Sequence, residues 1–231
     1  MSELAARAVD SAARAGDPAG PPGGSVSGIV LAGGRGSRLG GDKLGRPLRG
    51  RPLLDHALLA LAPLVAELIV VGPAHGALPP SPPELRPTPI RAFDLQAGLG
   101  PLAGVVAGLG LASQPRSLIV GGDQPALVPA LLAGLLAAAA DSLAGAVVLA
   151  DGDGWSPLPS VVVTRAALVE ARRRLSGPQR SLKGLLVGLG LEVVDEAAWR
   201  PWDPAGAWRQ DVDSPADLRA AEGGAPEMTR H

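Results

Sequence analysis

Four short runs of Val, Ile and Leu set the main constraint on this chain: SGIVLAG (27–33), LIVVG (68–72), SLIVGGD (117–123) and AGAVVLAD (144–151). Each is too short and too rich in branched side chains for a helix, and each is apolar at consecutive positions rather than alternate ones. That pattern belongs to strands covered on both faces. Segments with helical spacing fall between and after them: PLLDHALLALAPLVAE (52–67), GPLAGVVAGLGLA (100–112), PALVPALLAGLLAAAADS (125–142), AALVEARRRL (166–175), SLKGLLVGLG (181–190) and SPADLRAA (214–221). PIRAFD (89–94), LPSVVVT (158–164) and LEVVD (191–195) are further extended candidates, with DGDGWSP read as a loop before the second of these. Strands alternating with helices predict an α/β fold, a Rossmann-like three-layer α/β/α arrangement around a mostly parallel sheet. The alternation is less regular over 144–210, where an antiparallel hairpin and a lid are expected.

The chain has 231 residues, enough for one sizeable domain. Aromatics make up only 2% of it, so the core must be filled by Leu, Val and Ala. A net charge of −1 excludes the strongly basic balance of an electrostatic nucleic-acid binder. The absence of cysteine excludes disulfides, thiolate-bound zinc and a thiol nucleophile. No apolar run reaches the ~18 residues of a membrane span, and residues 1–27 lack the apolar centre of a secretory signal. The expected organisation is a disordered lead-in over 1–27, one domain over 28–221 and a frayed tail over 222–231. A soluble cytoplasmic protein, monomeric or weakly self-associating, follows as the default.

The first strand runs into LAGGRGSRLGGDK (31–43). It fails the P-loop pattern, because Lys43 follows Asp42 and precedes Leu44. It also fails the dinucleotide fingerprint, because Leu39 stands where the third glycine belongs. The physical content of such motifs survives nonetheless. Glycines directly after a strand let backbone N–H groups approach an anion, and Arg35, Arg38 and Lys43 supply charge for a polyphosphate. A surface turn with solvated cations is the alternative reading of the same residues.

Asp94, Asp123 and Asp213 each follow an apolar or strand-like run. Each is therefore expected at a carboxyl edge of the sheet, where ligands bind in open α/β folds. Carboxylate oxygens suit Mg²⁺, which takes one or two of them and fills its shell with water and phosphate. The histidines have no metal or triad spacing: His56 sits in an apolar helix, His75 in a proline-rich loop and His231 at the end. The ARRR run (171–174) reads as a solvated helix face. The four tryptophans could stack on a flat ligand or simply pack a lid.

LAGGRGSRLGGDK resembles the signature LAGG-x-x-x-R-M-G-x-D-K of the MobA-like nucleotidyltransferases, with Leu39 in place of Met. Three further stretches fit in order: FDLQAGLGPLAG (93–104), GGDQPAL (121–127) and QDVDSPADL (210–218). The resemblance covers roughly 28–221. It implies Mg²⁺-dependent transfer of GMP from GTP to the phosphate of molybdopterin, in molybdenum cofactor biosynthesis, with pyrophosphate released. It also implies roles for particular residues. Arg38, Lys43 and Asp123 would be catalytic. Leu31, Ala32, Gly33, Gly34, Lys43, Asp94 and Asp123 would bind the nucleotide. Asp123 with Asp213 would hold the metal, Asp211 being the alternative second ligand. Lys183 and Arg180 fall where the acceptor's phosphate would dock. Gly72-Pro73 replaces a common asparagine, and Asp211 and Asp213 replace the more usual asparagines of the closing motif. Those departures leave open a CTP-using enzyme, a sugar or other phosphate acceptor, and a non-catalytic nucleotide-binding domain.

Overall fold

The computed structural model describes residues 26–33, 43–73, 78–94, 100–212 and 214–223. At its centre is a seven-stranded sheet. The strands are β1 (Val26–Leu31), β4 (Glu67–Pro73), β5 (Ile90–Asp94), β6 (Arg116–Gly121), β7 (Ala146–Asp151), β8 (Gly154–Val163) and β9 (Leu191–Val194). Their spatial order is β5-β4-β1-β6-β8-β7-β9. All run parallel except β8, which pairs antiparallel with both β6 and β7. The expected mostly parallel sheet is present, and the irregular region does hold the expected hairpin.

The consecutive apolar runs explain the layering. Val30, Val70, Val120 and Val147 point into one core, against helices α1 (Leu53–Leu61) and α3 (Pro129–Asp141). Their chain neighbours Ile29, Ile69, Ile119 and Val148 point into a second core. There they meet α2 (Pro101–Leu111), α4 (Thr164–Leu175) and α5 (Leu182–Gly188). Helix α2 lies so close to the sheet that a Cβ on Gly108 would come 2.7 Å from Ile29 Cγ2. Glycine there is a packing requirement, not a helix breaker.

Some boundaries differ from expectation. The helix expected over 125–142 begins only at Pro129, which occupies its first turn. Proline in a helix interior would lose a hydrogen bond and clash with the preceding turn, so residues 125–128 stay outside. The helix expected over 52–67 ends at Leu61, passes into a 3₁₀ turn at Ala62–Leu64 containing Pro63, and gives Glu67 to β4. The expected loop DGDGWSP is a tight turn followed by strand, since Gly154 to Ser156 pair with β7. A short hairpin went unanticipated: β2 (Pro47–Leu48) and β3 (Arg51–Pro52) are joined by Arg49 and Gly50, both at positive φ. The last helix, α7 (Pro215–Gly223), carries a reciprocal cap. Ser214 N–H donates to Asp217 Oδ2 at 2.7 Å, and Asp217 N–H donates back to Ser214 Oγ at 3.2 Å.

One half-buried polar network ties the amino ends of the strands together. Glu67 Oε1 accepts from Ser27 Oγ at 2.5 Å, from Ser113 N–H at 2.6 Å and from Ser113 Oγ at 3.0 Å. Burial pushes this carboxyl up, but those hydrogen bonds outweigh it and hold Glu67 below the usual glutamate range. Its stabilising contribution is therefore complete above the ordinary carboxylate pKa and is lost as pH falls through the depressed folded value. Glu67→Gln should cost about 1 kcal/mol near neutral pH. In denaturant titrations at several pH values, the gap to wild type should narrow as the solution is acidified.

Candidate active site

The chain leaves β1 toward β4 and β5 on one side, then returns through α2 to β6 on the other. The order of strands thus reverses between β1 and β6, and their carboxyl ends open a crevice where ligands bind in sheets of this kind. Backbone bonds across the edge fix its shape. Ala32 N–H donates to Val71 O at 2.8 Å, and Gly122 N–H donates to Leu31 O at 3.0 Å. Leu31, Ala32 and Gly33 therefore stand at the crevice itself, between the ends of β4 and β6.

Across that crevice, Lys43 Nζ lies 2.9 Å from Asp123 Oδ2. The two residues are 80 positions apart in sequence. Lys43 begins a 3₁₀ turn, Lys43–Gly45, where the glycine loop rejoins the described chain, and its side chain is only 11% exposed. Asp123 sits two residues past β6 with 36% of its side chain open to solvent. A pair this open contributes about 1 kcal/mol or less to stability. Its value is positional: one amine and one carboxylate are presented together, with an oxygen still accessible.

Two hydrogen bonds hold Asp123 and its turn in place. Gln124 Oε1 accepts from Gly121 N–H at 2.9 Å, closing the turn around it, and Gln124 is 5% exposed. Val212 N–H donates to the Asp123 carbonyl at 3.0 Å. Val212 is itself buried with Leu48 and Leu53, beside Leu44 and Leu218. This third small core joins the segment after Lys43, the β2–β3 hairpin and the closing segment. His56 belongs to the same scaffold, its Nε2 lying 2.9 Å from Leu48 O, as its structural reading anticipated.

The other expected site residues are distributed as follows. Asp94 closes β5, three strand positions from β6, or about 14 Å along the edge. The fold does not bring it to Asp123; it stands at the far end of a span that an extended nucleotide could cover. Gly34, Arg35, Arg38 and Asp213 lie outside the described residues. Asp211 is exposed, next to Val212. Lys183 stands 5.1 Å from the Trp155 ring centre, and Arg180 donates to Gly177 O at 3.0 Å. Neither contact reaches Asp123. On the ARRR run Arg172 and Arg173 are exposed, as a solvated face requires, and only Arg174 is drawn in against Glu170. Arg173 and Arg174 both bond Glu170, and the bond from Arg173 above all holds that carboxyl down at about 2 against the effect of burial. Trp199 and Trp208 are fully buried rather than placed to stack on a ligand. Gln124 and Val212 were not singled out from sequence: the signals were a polar residue after GGD and an apolar one between two aspartates.

A metal at this site is testable against the residues present. Among the described residues no group of three or more His, Cys, Asp or Glu could hold an ion. Among the described residues, Asp123 is the carboxylate that the crevice presents. The site fits a hard cation that takes one or two carboxylates and completes its shell with phosphate oxygens.

A sequence profile of the MobA-like NTP transferase domain matches residues 28–191. The chain belongs to the MobA-like NTP transferase family. A probable molybdenum cofactor guanylyltransferase from Chloroflexus aggregans is 33% identical over 203 residues, covering 85% of this chain and 93% of that one. The molybdenum cofactor guanylyltransferase of Pseudomonas aeruginosa strain PAO1 is 35% identical over 174 residues, covering 75% and 85%. The fold is shared with molybdopterin-guanine dinucleotide biosynthesis protein A from Archaeoglobus fulgidus. That structure has a TM-score of 0.68 and 22% identity, covering 85% of this chain and 97% of that one. It is shared too with a Mycobacterium tuberculosis protein solved in complex with manganese, at a TM-score of 0.58 and 20% identity, covering 87% and 100%.

Within this family site, Gly121 has a steric role. A Cβ there would stand 2.7 Å from Asp123 Oδ1 and 3.2 Å from Gln124 Oε1. The carboxylate end can swing away at little cost to the fold, but it would leave its place opposite Lys43. Gly121→Ala should therefore lower pyrophosphate release by about 10²-fold, the effect of a misplaced reacting group. Thermal unfolding of the same variant should stay close to wild type.

Proposed function

We propose that this chain is a guanylyltransferase of molybdenum cofactor biosynthesis, joining GMP from GTP to the phosphate of molybdopterin. The observation that carries the reading is the Lys43–Asp123 pair at the β1/β6 crevice, inside a chain about one-third identical to guanylyltransferases of that pathway. In the reaction, an oxygen of the acceptor phosphate forms a bond to the α-phosphorus of GTP. The bond from that phosphorus to the bridging oxygen breaks, and pyrophosphate departs with the electron pair. The attacking phosphate is already ionised at neutral pH, so no strong general base is required.

The protein's task is then to align the two substrates and to meet the charge that develops on the leaving group. Lys43, with its ammonium held at the crevice, would contact the triphosphate, and Arg38 would add charge from the glycine loop. Ala32 N–H is already taken by Val71 O, so Leu31 and Ala32 would shape the floor of the phosphate site, and the backbone N–H groups of Gly33 and Gly34 would face the phosphates. Asp94, at the β5 end of the same edge, would serve the nucleoside end. Mg²⁺, held by Asp123 with Asp213 as second carboxylate, would when bound neutralise phosphate charge and favour departure of pyrophosphate. Ladder pairing of β6 with β8 ends at Ile119–Ser160, before Pro159, and Val120 is fully buried, so the acceptor phosphate would approach Asp123 over the carboxyl edge of the sheet.

Pyrophosphate release measured with GTP, CTP and ATP, with and without molybdopterin and in the presence of Mg²⁺, tests the assignment. The expected result is turnover that requires both GTP and molybdopterin. Preference for CTP would overturn the guanine assignment, and no release with any nucleotide would overturn catalysis. Lys43→Ala should lower turnover by about 10²–10³-fold, as for loss of a preorganised charge contact. Asp123→Ala should abolish metal-dependent turnover while circular dichroism shows an intact fold.

A further inference from the structure

The segment between β9 and α7 contributes two tryptophans to the first main core. A short helix α6 (Glu196–Trp199) and a 3₁₀ turn (Ala207–Arg209) bring two tryptophans edge to face, with ring centres 5.6 Å apart and planes at 90°. Trp199 Nε1 donates to Ala150 O at 3.0 Å, fastening the cluster to the carboxyl end of β7. Asp203 is buried and accepts from Trp208 N–H at 2.9 Å.

Arg209 joins these parts. Its guanidinium carbon lies 4.7 Å from the Trp199 ring centre and 5.6 Å from that of Trp208. Its Nη2 donates to Glu196 Oε2 at 2.9 Å, and its Nε stands 2.9 Å from Asp151 Oδ1, an ion pair whose N–H is not aimed at the oxygen. A planar cation can stack on aromatic rings and pair with carboxylates at its edge in this way; a lysine ammonium cannot do both.

From this anchor the chain to Asp123 is short. Only Gln210 and Asp211 separate Arg209 from Val212, whose N–H holds the Asp123 carbonyl. The Arg209 side chain is tied to the end of β7, and Val212 to the turn after β6, two strand positions away. Gln210 is extended, with φ −82° and ψ 101°.

We propose that Arg209 is a positioning residue for Asp123: it anchors a short strap, residues 210–212, whose far end holds the Asp123 backbone with the carboxylate opposite Lys43. Its effect on catalysis rests on the transferase reading above; its effect on the strap does not. The full-length chain with Arg209→Ala or Arg209→Lys separates the two. Hydrogen exchange of the Val212 amide, followed by NMR, should accelerate about tenfold or more in both variants, while Ile29 and Ile119 in the central strands stay protected. With GTP and molybdopterin, kcat should fall about tenfold or more, and KM for GTP should change by less than about threefold. Unchanged Val212 protection would overturn the anchor. So would faster exchange with unchanged kcat, or full rescue by lysine. If the alanine variant does not fold, the lysine variant decides the matter. Absence of turnover in the wild type would refute the transferase reading, and the exchange measurement would still decide the strap.

Discussion

The ion pair between Lys43 and Asp123 joins the two halves of the crevice. Lys43 comes from the loop after β1, and Asp123 comes from the turn after β6. They meet because β1 and β6 are adjacent and parallel although the chain visits β4 and β5 between them. A topology that placed β6 elsewhere would separate the amine from the carboxylate by one or more strand spacings. The pair therefore depends on the sheet order, and the sheet order depends on strands that are apolar on both faces and can be covered by helices from either side.

Two large cores build the sheet, but a third, much smaller one finishes the site. Leu48 and Leu53 come from adjoining elements, and Val212 comes from a segment about 160 positions later in sequence. Together they place the residues after Lys43 and the backbone that meets Asp123 on one support. Arg49 adds a bond from the hairpin turn to Ala221 O at 2.9 Å, fastening the last helix to the same support. The charge chemistry thus stands on a minor apolar contact at the rim, where a mutation could disturb geometry without unfolding the domain.

The sheet was legible in the sequence because its signals are local and repeated. Runs such as LIVVG and SLIVGGD can hardly be anything but covered strands, and the Ser214–Pro215–Asp217 cap could be read residue by residue. The glycine loop and Asp123 could be singled out because unusual residue types stand directly after strands. Other features had no local sign. Strands of two residues, as in β2 and β3, have no period to detect. Pro129 restarts a helix inside a stretch whose apolar spacing looks continuous. The role of Val212 arises only when the end of the chain folds back on β6, and Arg209 gains its meaning from two tryptophans and from Asp151 on a distant strand. Nothing near those residues in sequence announces their partners.

The central claim is that Lys43 and Asp123 together receive a nucleoside triphosphate and its metal. A crystal structure of the protein with Mn²⁺ and a non-hydrolysable GTP analogue tests it most directly, because manganese can be located by its anomalous scattering. The account predicts a manganese peak about 2.2 Å from an Asp123 carboxylate oxygen, with the triphosphate across the β1/β6 crevice within hydrogen-bond reach of Lys43 Nζ. Metal and triphosphate bound at another edge of the sheet, with the Lys43–Asp123 pair undisturbed, would contradict it.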